Sequence, residues 1–296
     1  MKRFSLRNMV LALSVALTSL SLMANDVNSA TTSVWQVSKG EDIVYVGGTI
    51  HLLPASEFPL PDVFTATYEN ADTVVFEAQL PDPTDLVAQQ KMMAAVAYRN
   101  GRTLKDELSA ETYAALDKYL SAFGATADQI AGFKPGMVAT MLVAMEAQRN
   151  QLAGEGVDAY FTRLAKRDGK PSEYLESVEF QIQMLANMGE GEEDRFIAQT
   201  LETLPELNST LQDTINAWRV GNTAQLNELV IETFKQESPA SFDELFTNRN
   251  QNWVPLIEAM FGDDDLEFVL VGAGHLVGED NVLTLLQEKG YRVKQL

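Results

Sequence analysis

The feature that most constrains this chain is where its extended runs fall. β-Branched and aromatic runs cluster towards the two ends, while residues 85–261 carry apolar residues mainly at three- and four-residue spacing. Near the start, residues 34–37 and 43–50 flank the turn-like Ser38-Lys39-Gly40-Glu41-Asp42, which predicts a hairpin, and Thr73–Phe76 is a third short run. Near the end, residues 268–271, a helical pattern over 281–289 and Tyr291-Arg292-Val293 read as strand-helix-strand, with Gly290 where a helix C-cap glycine belongs. Isolated strands would leave backbone donors and acceptors unpaired and apolar faces wet. The economical solution is an α+β fold of α/β-like character: one central mixed sheet built from both ends and covered by the mainly helical middle.

That middle holds helical stretches at 86–98, 110–123, 136–149, 157–166, 178–188, 211–219, 223–234 and 242–260. Gly169-Lys170-Pro171 breaks the series, and Tyr174-Leu175-Glu176 after it reads as a short strand. There is no low-complexity linker, so residues 25–296 are expected to form one domain with a helical insert over about 85–261.

The chain has only two histidines, and both stand in the same local frame. His51 closes Gly48-Thr49-Ile50-His51-Leu52 and His275 closes Gly272-Ala273-Gly274-His275-Leu276, each after an apolar run. A shared sheet would bring them together although 224 positions separate them. Glu77 ends a third run and Glu176 the fourth. If these strands are parallel, all four residues meet beyond one sheet edge, where open α/β sheets bind ligands.

Two imidazoles and a carboxylate suit a divalent metal with positions left open for water or substrate. The glycines allow close approach of backbone to a ligand, so Gly48, Gly272 and Glu176 are expected to line the substrate. Glu77 is either a third ligand or a general base, because a charge at a buried strand end needs a partner. Arg249, one of few cations here, suits either an oxyanion or a carboxylate, with a surface ion pair as the bland alternative. Asp158, after Glu155-Gly156-Val157, reads as a helix cap, and Glu176 with Glu179 as acids favoured at a helix start. Asp263-Asp264-Asp265 lacks the later glycine and glutamate of a calcium loop and reads as a solvated turn.

Bulk properties exclude several partners. Lys2, Arg3 and Arg7 before a short apolar stretch read as a secretory signal cut near Ala24, not as an anchor, which predicts a periplasmic or secreted protein. Removing residues 1–24 leaves 19 Lys and Arg against 42 Asp and Glu, a charge of about −23. Such a surface repels nucleic acid and anionic lipid, so the expected partner is a peptide or small molecule, with no stable membrane insertion. With no cysteine there is neither a disulfide nor a thiolate nucleophile. Oligomeric state leaves no mark in the sequence.

Residues 45–54 (Tyr45-Val46-Gly47-Gly48-Thr49-Ile50-His51-Leu52-Leu53-Pro54), Val74-Val75-Phe76-Glu77, Gly156-Val157-Asp158 and Gly169-Lys170-Pro171 form an ordered series. Leu175-Glu176-Ser177, Arg249-Asn250, residues 271–278 and Gly290-Tyr291 complete it. In these residues the chain resembles the TraB/GumN family, whose animal relatives are the Tiki-type proteases, over nearly the whole mature length. The resemblance implies a fold related to the erythromycin-esterase and ChaN-like group. It also implies a site of two G-x-x-H motifs and a glutamate, here His51, His275 and Glu77, and a divalent metal, with manganese or cobalt favoured. Zinc enters from the His₂Glu donor set alone. The expected function is a metal-dependent hydrolase, in first place a peptidase. Its rivals are a metal-independent esterase with a histidine general base, and a binding protein that sequesters a peptide or metal compound without turnover.

Overall fold

The structure, a computed structural model, describes residues 31–79, 84–237, 239–262 and 264–296. The expected signal segment and Asp263 lie outside these residues. Six strands form one mixed sheet: β1 Val34–Lys39, β2 Asp42–Thr49, β3 Thr73–Phe76, β4 Ser172–Tyr174, β5 Glu267–Gly272 and β6 Arg292–Gln295. Their order is β4-β3-β5-β2-β1-β6. Strand β1 pairs antiparallel with both β2 and β6, so the two ends of the chain do share a sheet. Strands β2, β5, β3 and β4 run parallel, with Thr49 opposite Gly272, Leu270 opposite Phe76, and Phe76 opposite Tyr174. The carboxyl ends of these four strands therefore meet at one edge.

Period-2 alternation divides the apolar residues between the sheet's two faces. Phe76, Phe268 and Leu270 pack with Phe64, Phe161 and Trp218 on one face. Val46, Val75, Val269 and Val271 pack with Trp253, Ile257 and Leu286 on the other. Burial on both faces is why the parallel strands read as continuous apolar runs. Truncating a fully buried ring such as Phe161 costs about 3–5 kcal/mol in sites of this kind. Trp218 also fastens its helix to the sheet, donating from Nε1 to the Gly48 carbonyl at 2.7 Å.

The chain departs from the expected picture in three places. The helix Asp62–Asn70 was not legible, although its Phe64, Thr67 and Tyr68 are buried against the first face. The fourth strand is Ser172–Tyr174, not Tyr174–Glu176: the chain leaves the ladder so that Glu176 can turn inward, its N–H still donating to the Glu77 carbonyl at 2.8 Å. A third apolar cluster, containing Leu104, Leu116, Leu142 and Ile197, joins several helices to one another and not to the sheet. Among the described residues, no helix is long and apolar enough to cross a membrane.

Candidate active site

The strand ends deliver Glu77 directly after β3, His51 two residues after β2, and His275 in the short 3-10 turn Ala273–Leu276 that follows β5. Glu77 is held at both oxygens. Its Oε1 accepts the Gly272 N–H at 2.7 Å, and its Oε2 accepts from Arg249 Nη2 at 2.7 Å and Gln181 Nε2 at 3.1 Å. Burial opposes the charge on Glu77, but the neighbouring imidazoles, Arg249 and the Gly272 N–H more than offset it and hold the carboxyl below its ordinary range.

His275 is 4% exposed and lies between two aromatic rings, with centroids 5.0 Å from Phe246 and 4.4 Å from Trp253. Its Nδ1 is 2.6 Å from Asn250 Oδ1 and its Nε2 is 3.1 Å from Arg249 Nη1. Asn250 Nδ2 donates to the Asp280 carbonyl, which fixes the orientation of the amide. An amide oxygen only accepts and a guanidinium only donates. Nδ1 therefore carries the proton and Nε2 bears the lone pair. Burial drives this imidazole below its usual pKa and keeps it neutral, with Arg249 acting in the same direction against the pull of Glu77.

His51 has the opposite surroundings: its side chain is 67% exposed and its Nδ1 donates to Asp158 Oδ1 at 2.9 Å. That hydrogen bond is the chief reason its pKa is pushed up to about 9 against the desolvation it suffers. The contact depends on Gly156, where an added Cβ would stand 2.4 Å from the His51 carbonyl oxygen. Only glycine lets the helix Val157–Asp168 begin so close to the β2 exit. Asp158 is thus a partner of His51, and the expected cap is corrected: Gly156 occupies the N-cap position.

Arg249 opens the helix Asn248–Glu258 and is 5% exposed, which excludes the surface ion pair. All five of its N–H donors are engaged. Nε reaches Glu176 Oε2 at 3.1 Å, Nη2 reaches Glu176 Oε1 at 2.6 Å and Glu77 at 2.7 Å, and Nη1 reaches Leu245 O at 3.3 Å and His275 Nε2. With no donor left over, it orients carboxylates and offers nothing to an oxyanion in this arrangement. Glu176 accepts further hydrogen bonds from Gln181 Nε2 and Trp253 Nε1, so it buttresses Arg249 and neither lines a substrate nor opens a helix. Gly48 also lies away from the open space, since a Cβ there would meet Ala273 Cα at 3.2 Å. Gly272 is central: a Cβ on it would sit 3.3 Å from Glu77 Oε1, 3.6 Å from His275 Cδ2 and 4.0 Å from His51 Nε2.

The structure thus gathers His51, Glu77, Glu176, Arg249, Gly272 and His275. It adds Asp158, Gln181, Asn250 and Trp253: Asp158, read as a cap, and Asn250, adjoining Arg249, both stood in the ordered motif series, whereas Gln181 and Trp253 had no local signal.

The donor set suits a divalent cation in its chemistry. Each histidine gives Nδ1–H to an oxygen acceptor and leaves Nε2 on the side of Glu77, as in metal sites whose ligands are oriented by a second layer of hydrogen bonds. With both imidazoles neutral, Glu77, Glu176 and Asp158 against Arg249 give a net charge of −2, which one divalent ion balances. Among the described residues no three such side chains already form a ready cluster. The physical reason is Arg249: it takes the His275 lone pair, and His275 Nε2 stands 3.9 Å from Glu77 Oε1. An ion at this place needs His275 Nε2 released by Arg249 Nη1, a Glu77 oxygen shared with its present donors, and His51 stripped of the proton that Asp158 helps it hold.

The sequence model of the TraB/PrgY/gumN family matches residues 33–295. The chain is 28% identical to the uncharacterised protein YbaP of Escherichia coli K12 over 244 residues, 81% of this chain and 86% of that protein, and YbaP of Shigella flexneri gives the same values. It is 24% identical over 301 residues to the metalloprotease TIKI2 of Danio rerio, covering 84% of this chain but 58% of TIKI2. No solved structure matches.

Proposed function

This chain belongs to the TraB/PrgY/gumN family, and we propose that it is a divalent-metal-dependent hydrolase of peptide bonds that works in the periplasm or outside the cell. One observation carries the reading: both histidines have Nδ1 tied to an oxygen acceptor and Nε2 turned towards the Glu77 carboxylate, around a glycine whose missing side chain leaves the centre open. The similarity to a metalloprotease supports the same class.

The ligands would be His51, Glu77 and His275, with manganese, cobalt or zinc as the ion. A bound ion would supply Lewis acidity towards a carbonyl oxygen and an acidified water. The protein's own part is preorganisation. Asp158 and Asn250 fix the two ring tautomers, and the Gly272 N–H and Gln181 hold the carboxylate. Glu77 is a ligand in this reading and not a base, because a carboxyl held below its ordinary range is a poor proton acceptor near neutral pH. Arg249, freed from His275, keeps its ion pairs with Glu77 and Glu176 beside the reacting group.

A second reading has its own support. The hydrogen bond between Arg249 and His275 leaves His51, backed by Asp158, as a proton carrier for metal-free ester hydrolysis. The decisive experiment assays the purified chain on peptide and ester libraries with Mn²⁺, Co²⁺, Zn²⁺ or chelator, alongside His51→Ala, His275→Ala and Glu77→Gln. Peptide cleavage that chelator abolishes and that all three folded variants lose is the expected result. Chelator-resistant ester cleavage assigns the second reading, and full activity in the folded variants removes the site from either.

A further inference from the structure

Two cavities meet at His51 and Glu77, and they differ in size. The larger, about 330 Å³, has Glu77, Arg249, Gly272 and His275 on one wall and Val230, Phe234, Leu245 and Phe246 on the other. The smaller, about 180 Å³, is lined by Phe76, Ala78 and Leu270 together with Asp158, Thr162 and Gln181, and shares His51 and Glu77 with the first. Pockets for whole small ligands usually run from ~300 to 1,000 Å³, so the larger cavity, at the bottom of that range, has room for a bulky side chain and the smaller one only for a short group.

The apolar wall is built for this place. Val230 belongs to the π-helical stretch Asn227–Glu232, and Leu245 and Phe246 belong to a second, Asp243–Thr247. π-Helical turns are rare and concentrate at functional sites. All four wall residues are only half-buried; Val230 and Phe246 lean on the core with part of their surface, and the remainder lines the cavity. Phe246 stands against the His275 ring and meets Phe234 edge-to-face with centroids 5.8 Å apart. Gly274 makes that approach possible, since a Cβ there would come within 2.8 Å of Phe246 Cε1.

From this juxtaposition we infer that the site selects a chain with a large apolar side chain, aliphatic or aromatic, directly on one side of the bond to be cleaved, and a small group on the other. The inference rests on the hydrolase reading for the word "cleaved", but the subsite itself can be measured without turnover.

The test therefore has two arms. In the first, chelated wild-type protein is titrated with N-acetylphenylalanine amide and N-acetylalanine amide, followed by the fluorescence of Trp253 beside His275. The phenylalanine amide should bind at least about tenfold more tightly. Val230→Phe, which fills the cavity from a half-buried position, should remove that preference while the circular dichroism spectrum stays native; Phe234→Ala, which enlarges it, should keep binding but weaken it. In the second arm, cleavage sites in a peptide library are mapped with metal present and should place large apolar residues on one side of the cut. Equal binding of the two amides by wild type, or an unchanged preference in folded Val230→Phe, overturns the subsite even if peptides are cleaved. Selective binding with no cleavage under any metal leaves the subsite standing and sinks the hydrolase reading.

Discussion

The two G-x-x-H-L motifs are alike in sequence and unlike in the folded protein. His51 is exposed, carries Asp158 on Nδ1 and holds its proton up to about 9. His275 is buried between Phe246 and Trp253, carries a neutral amide on Nδ1 and a guanidinium on Nε2, and stays unprotonated. The local frame sets where each ring starts, namely just past a parallel strand, while other glycines, Gly156 beside His51 and Gly274 beside Phe246, set how close its neighbours come. What each ring does chemically is decided by partners from elsewhere: a helix 107 positions away for His51, and the first turn of Asn248–Glu258 for His275. A repeated motif here means a shared position and a divided function.

The comparison breaks most violently at Arg249, which hydrogen-bonds the His275 ring but not the His51 ring. Arg249→Ala leaves Glu77 and Glu176 buried without their cation, and removal of one partner of such a group costs about 3–5 kcal/mol. Urea unfolding should show that loss, with Arg249→Lys losing less because one charge remains without the fork. Next come the histidines themselves. His275→Ala should cost about 2 kcal/mol through lost packing and hydrogen bonds, whereas exposed His51→Ala, measured at about pH 10 where the proton shared with Asp158 is gone, should stay within about 0.5 kcal/mol of wild type. Equal losses would mean that the two environments are not as described.

Gly272→Ala sharpens the comparison from the middle. Its φ of −51° suits alanine, so unfolding should change by less than about 1 kcal/mol, while the added methyl enters the space shared by both rings and Glu77. Divalent-metal binding measured by calorimetry should then fall far more than stability does.

The smallest effect is on pH dependence in the chelated protein. His51 has a folded pKa above its ordinary 6.5, so its contribution is complete below 6.5 and is lost as the pH rises through about 9. His275 has a folded pKa below 6.5, so the unfolded chain takes the proton first and stability falls as the pH drops below 6.5. Asp158→Asn should remove the alkaline limb seen in thermal unfolding and leave the acid limb between pH 6.5 and 5 intact. Loss of both limbs together would show that the two rings titrate as one unit.

What could be read from the sequence follows the same division. Thr73–Phe76, the hairpin and the run before His275 were legible because strands buried on both faces must be apolar throughout, and that demand is local. The parallel direction that joins His51, Glu77 and His275 was a condition and not a deduction, since no local pattern encodes which way a distant strand runs. Asp158 stands one residue into a helix, where short acids cap or favour the dipole, so local logic read it as a cap. Its true partner depends on Gly156 lying against the His51 carbonyl, a contact between segments far apart in the chain. Gln181 and Trp253 gave no signal at all, because a hydrogen bond to a remote carboxylate leaves no period and no motif.

The most direct test of the account is whether one ion meets both rings. With only two histidines, their ring signals can be followed separately by NMR in chelated protein as Mn²⁺ is added. Both rings should broaden together and be complete at one equivalent, with Glu77→Gln reducing the effect on each. Broadening of the exposed His51 alone, or of neither ring, would contradict a shared metal site and leave the two motifs as neighbours without a common task.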